Sequence, residues 1–226
     1  MNSEKLNLTL FDILGYLLPG FLVIFCLSLI ESTFFHSSLL SLASLENNWF
    51  LLSLAAYFSG HICHIIASLV KVGFINHLGA KNRSESYLYK IFKQDVISTY
   101  QLDSKETDKL NSLDYYLLAD SYVVASEGSD ERNSLMVREG FYKTSTVAFG
   151  LLFLTTIGSI FAGGLKVQME IGNMLHMGII ATVVLAVNWL LLFLIFGNRF
   201  IFYNRMKLNN TYLLFLAYHE KNNRKK

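Results

Sequence analysis

Four stretches of this chain contain no Lys, Arg, Asp or Glu: residues 13–30, 47–70, 144–165 and 171–198. They are 18, 24, 22 and 28 residues long. A helix needs roughly 20 mostly apolar residues to cross about 30 Å of hydrocarbon, so all four qualify, the first only just. The remaining composition agrees, with 16% charged residues against about 25% in soluble domains. The pattern predicts an all-α integral membrane protein. Its four transmembrane helices would cover 9–30, 49–70, 144–163 and 174–197, with a cytoplasmic helical insert between helices 2 and 3.

A cleaved leader is the rival reading of the first stretch. Pro19-Gly20 in its middle, and the lack of a small-residue cleavage site in Cys26-Leu27-Ser28-Leu29-Ile30, argue against one. Orientation follows from Lys and Arg in the loops. One (Lys5) precedes the first span, none lies in 31–46, ten lie in 71–143, one (Lys166) in 163–173, and seven follow 198. The chain thus divides into an N-terminal helix pair (1–70), a cytoplasmic insert (71–143), a C-terminal helix pair (144–198) and a cytoplasmic basic tail (199–226), with both termini inside. Cys26 and Cys63 fall within spans and form no disulfide framework. The insert balances ten basic against eleven acidic residues, so it offers nucleic acid no basic patch and no direct nucleic-acid binding is expected.

Several residues inside the spans stand out. Thr9 followed by Asp12 fits a helix cap, with Leu8 and Ile13 as its hydrophobic staple; the functional alternative for Asp12 is an ion or proton site. Gly15, Pro19 and Gly20 predict a bend in the first helix, with a hinge as the sharper alternative. In the second span Ser53, Tyr57, His61, His64 and Ser68 recur at helical spacing and share one face, with the small pair Ala56 and Gly60 close by. Ionisable groups in a span face protein or water. In the third span Ala148, Thr155, Ser159 and Ala162, with Gly158 beside them, form a small-residue packing face. Asn188 in the fourth span calls for a partner on another helix, and Gly163-Gly164 reads as an outer turn.

Outside the spans, residues 31–48 predict a short amphipathic helix at the outer interface. The insert reads as one helix with apolar positions at Leu88, Ile91, Phe92 and Val96, and another with Leu110, Leu113, Leu117 and Val124. A third starts at Ser129 or Asp130 and runs through Met136 into the third span. The basic end 221–226 suits anionic headgroups or a partner.

His61 and His64 are the one tempting ligand pair. Interhelical hydrogen bonding, a pore or proton-relay lining, and a metal or haem site all fit an H-x-x-H on a helix. His36, His77, His176 and His219 are scattered, and no catalytic motif occurs. The expectation is therefore a non-enzyme, with no cofactor and no metal.

The layout, with its opening Phe11-Asp12-Ile13-Leu14-Gly15-Tyr16-Leu17-Leu18-Pro19-Gly20-Phe21 (FDILGYLLPGF), two helices, a helical insert, two more helices and a basic tail, resembles small membrane proteins of bacterial anti-phage defence operons. Among these it is most similar to the membrane subunits of Kiwa systems. The resemblance implies an inner-membrane homo-oligomer that senses phage attack and engages a cytoplasmic protein, docked here on the insert and basic tail. Three function classes follow: a sensor or scaffold subunit, an ion channel or membrane-permeabilising effector lined by the polar stripe of the second helix, and a small-substrate transporter or membrane redox protein.

Overall fold

The computed structural model describes residues 3–35, 48–69, 87–103, 107–110, 112–125, 129–170 and 173–223. The elements are α1 (Ser3–Ile30), a π-helical turn (Glu31–Phe35), α2 (Trp49–Leu69), α3 (Tyr87–Tyr100), α4 (Ser112–Ala125), α5 (Ser129–Phe161), β1 (Leu165–Glu170), β2 (Asn173–Met177) and α6 (Ile179–Asn223). Among the described residues, four helical stretches are long and apolar enough to cross a membrane: Gly15–Phe35, Trp49–Leu69, Arg132–Phe161 and Ile179–Glu220.

The chain folds into two units, Met1–Lys71 with Val137–Phe200, and Val72–Met136 with Ile201–Lys226. The core of the first joins Cys26 and Leu29 of α1 to Phe149 and Leu152 of α5 and Leu165 of β1. Trp189 of α6 lies against it, stacked on Phe149 with ring centroids 6.1 Å apart. The outward surface of this unit is apolar: Phe50, Phe58 and Ile62 of α2 and Ile180, Val184 and Leu191 of α6 are all exposed.

The second unit has its own core. Tyr89, Phe92 and Val96 of α3, Tyr115, Ala119 and Val123 of α4, and Tyr212 and Phe215 of α6 are buried together. The spacing of Phe92 and Val96 explains why: residues four apart share a helix face. Phe92 stacks on Tyr212 at 4.1 Å and meets Phe215 edge-on at 5.7 Å. Asp120 of α4 and Arg132 of α5 form a two-pronged ion pair.

Three sequence expectations are corrected. The first helix begins at Ser3, so Thr9 and Asp12 lie inside it rather than at its start. A Ser/Thr-x-x-Asp pattern is also compatible with helix interior, and here the helix simply starts earlier; the side chains before Gly15 lie outside the described residues. The stretch 174–177 is strand, not the start of the fourth span. β1 and β2 pair antiparallel, Leu165 opposite Met177 and Lys166 opposite His176, after a turn in which Gly163 and Gly164 take φ of +85° and +120°. Ala162 lies in that turn, exposed, and takes no part in helix packing. α6 runs on to Asn223 and takes in the run Tyr212–Tyr218, for which the sequence reading assigns no element. Of the expected interfacial helix, the π-helical turn is described and 36–47 lies outside the described residues, as do His36 and His77.

Candidate functional site

The α1–α2 contact is made by backbone. A side-chain carbon placed on Gly20 would collide with the carbonyl of Ala56, and one on Gly60 with the carbonyl of Tyr16. Ala56 and Gly60 are buried, and this small-xxx-small pair lets the two helices approach as closely as backbones allow. Gly20 thus acts in close packing. Gly15, one turn earlier, has only the Phe141 Cβ nearby, 4.0 Å from where its own Cβ would be. The helix continues through Pro19, which supplies no N–H for the Gly15 carbonyl.

Next to this contact stands an aromatic cluster. The Tyr16 ring stacks on His61, centroids 4.0 Å apart and 19° from parallel. It meets His64 edge-on at 5.5 Å and Tyr57 edge-on at 6.2 Å. Tyr57 and His61 are themselves 4.6 Å apart at 78°. The close backbone approach is what places Tyr16 within reach of three residues on successive turns of α2.

His64 also reaches α5. Its Nδ1 lies 3.2 Å from the Thr144 hydroxyl, which in turn lies 2.8 Å from the Gly140 carbonyl. A hydroxyl has one proton. Thr144 gives it to Gly140, so His64 donates Nδ1–H to Thr144. The next turn of α2 continues the contact: Lys143 Nζ donates to Ser68 Oγ at 2.9 Å, and Ser68 donates to the His64 carbonyl at 2.9 Å. The Cys63 thiol points at the Thr144 carbonyl, 3.6 Å away.

Four of the five stripe residues therefore meet neighbouring helices or their own backbone; Ser53 is half-buried. Asn188 does not join them. It is exposed, and its Nδ2 donates to the Val184 carbonyl of its own helix at 3.1 Å. In α5, Thr155 shares a 3.1 Å hydrogen bond with Cys26. Ser159 is buried and bonded to the Thr156 carbonyl at 2.7 Å. Gly158 leaves room for Phe34, whose Cζ would be 3.4 Å from an added Cβ.

Hydroxyls also anchor the hairpin. Ser32 Oγ donates to the Lys166 carbonyl at 2.5 Å, and Thr33 Oγ1 accepts from the Lys166 N–H at 3.2 Å. Thr182 Oγ1 accepts from the Leu165 N–H at 3.1 Å and lies 3.1 Å from the Gly178 carbonyl.

Tyr16, Lys143 and Thr144 escaped the sequence reading. Thr144 sits one turn before Ala148, so extending the small-residue face backwards by four residues finds it. Tyr16 is four residues before Gly20, on the same face of α1. Neither signal identifies a partner without the crossing geometry. Among the described residues no group of three or more His, Cys, Asp or Glu is placed to hold a metal ion. No protein-family model, curated protein or solved structure matches the chain.

Proposed function

We propose that the chain is a non-enzymatic, multi-pass membrane subunit that acts as a sensor or scaffold for a soluble partner. In this reading both termini and the 71–143 insert lie on the cytoplasmic side of an inner membrane. One observation carries it: the insert and the end of α6 share a core, with Phe92 of one packed on Tyr212 and Phe215 of the other. Segments that fold around one core lie on one side of a bilayer. Their Lys and Arg counts, ten in 71–143 and seven after 198 against none in 31–46 and one in 163–173, favour the cytoplasm for that side. The unit also carries Leu117 and Val124 exposed one above the other on α4, an apolar surface suited to a partner. The polar stripe of α2 supports interhelical bonding in preference to a pore lining, because Tyr57, His61, His64 and Ser68 are occupied by contacts with α1, α5 and their own backbone. The place in anti-phage defence rests on the resemblance of layout alone.

The test is affinity purification of the intact protein from native membranes, beside a Leu117→Asp/Val124→Asp variant. A soluble protein at fixed stoichiometry that is lost in the variant is the expected result. Purification with no soluble partner, together with ion conductance in planar bilayers that His64→Leu abolishes, would replace this reading with the channel.

A further inference from the structure

α6 exposes most of its membrane-length surface. Along it, Ala181, Val184, Asn188, Leu191 and Ile195 are all exposed, at alternating separations of three and four residues. That is the 3.5-residue repeat by which two helices wind around each other. The exposed apolar residues alone would be equally suited to lipid tails. Asn188 is not. Its Nδ2 reaches Val184 of its own helix, and among the described residues its amide oxygen has no donor. An amide facing hydrocarbon is costly, and helices in membranes relieve that cost by bonding to one another.

We infer that a second copy of this chain covers the seam, α6 packed on α6, with the two Asn188 amides bonded to each other. Copies inserted in one membrane share an orientation, so their α6 helices run parallel. In a symmetric parallel pair each position of this kind meets its own counterpart at the same depth. An amide is self-complementary, donor to acceptor and acceptor to donor. Lipid tails have no N–H to offer the amide oxygen. Exposed positions of α6 satisfy more than one such repeat; Asn188 selects the seam that contains it, and its self-complementary amide selects a second copy as the occupant. The inference rests on the membrane reading above, since in water an exposed asparagine needs no partner.

Single cysteines introduced at Val184, Asn188, Leu191 and Ile195, and at the off-seam positions Val183 and Leu194, test it in the full-length protein in vesicles. Cys26 and Cys63 are buried, and the unmodified chain serves as control. Oxidation is expected to give disulfide-linked dimers at the four seam positions, several-fold more than at Val183 and Leu194. Asn188→Leu, which keeps the helix apolar, should weaken self-association about tenfold in a lipid-dilution energy-transfer titration. Equal cross-linking at all six positions, none at any, or unchanged self-association of Asn188→Leu would overturn the pairing. Rapid labelling of the Val183→Cys variant by a water-soluble maleimide in intact vesicles would overturn the membrane reading itself. Protection there without seam cross-links would sink the pairing alone.

Discussion

His64 and Thr144, 80 residues apart in sequence, are joined by a 3.2 Å hydrogen bond from Nδ1 to Oγ1 that ties α2 to α5. Replacing Thr144 with Val keeps the volume and removes the acceptor. The part-buried Nδ1–H then loses its partner, at a cost of about 1–2 kcal/mol. Thr144→Ser retains the hydroxyl and should stay near the parent. Reversible unfolding in mixed micelles distinguishes the two.

Gly20 and Gly15 should respond oppositely to the same change. Gly20→Ala drives a methyl into the Ala56 carbonyl, with an overpacking cost of about 1–3 kcal/mol, and separates Tyr16 from His61. Gly15→Ala meets only ordinary contact with Phe141 and should be tolerated. Thermal melts in detergent give the ranking. Equal sensitivity of the two variants would contradict the close-contact geometry.

Much of this architecture can be read from residue order, and the limits are instructive. Charge-free length locates the apolar helices, and spacings of three and four residues put Tyr57, His61 and His64 on one face and Phe92 and Val96 in one core. Hydropathy averages ignore phase, however. The alternation Leu165-Lys166-Val167-Gln168 is a strand pattern, and Met174, Leu175 and Met177 were absorbed into the apolar run that follows. Thr9-x-x-Asp12 is ambiguous for a similar reason: the pattern says where a helix is able to start, not whether an earlier residue has already begun it. Asn188 shows a third limit. Its depth is legible, but its direction depends on how α6 is rotated against the core, which tertiary packing sets.

Removing the Thr182 hydroxyl should loosen the hairpin. Thr182→Val leaves the buried Leu165 N–H without its acceptor, worth about 1–3 kcal/mol. Hydrogen exchange across 165–177 should accelerate while α2 exchanges at the parent rate. Unchanged protection of the hairpin would show that Ser32 and Thr33 hold it alone.

Phe215 is buried between Phe92 and Tyr122 in the second unit. Phe215→Ala should cost that unit about 3–5 kcal/mol. Limited proteolysis is expected to cut within 87–125 far faster than in the parent.

Alkaline pH should also weaken the second unit. Burial, and then the neighbouring Tyr115, raise the Tyr89 phenol above its usual value of 10.0. The folded state therefore holds this proton more tightly than the unfolded chain. The stability this contributes is fully present below the ordinary tyrosine value and is lost as pH climbs through it and past the raised one. Tyr89→Phe should flatten the dependence in denaturant titrations taken across that range.

The first unit is assembled from the two ends of a long detour in the chain, which has a consequence for synthesis. α1 and α2 leave the ribosome with their backbone contact at Gly20 and Ala56 already available, needing nothing from later residues. Cys26, Ser32 and His64 find Thr155, Lys166 and Thr144 only after the 73 residues of 71–143 have been translated, several seconds at about 5–20 residues per second. For that interval the nascent first pair is held by its glycine contact and the stacking of Tyr16 on His61, its hydrogen-bonding side chains waiting for helices that do not yet exist.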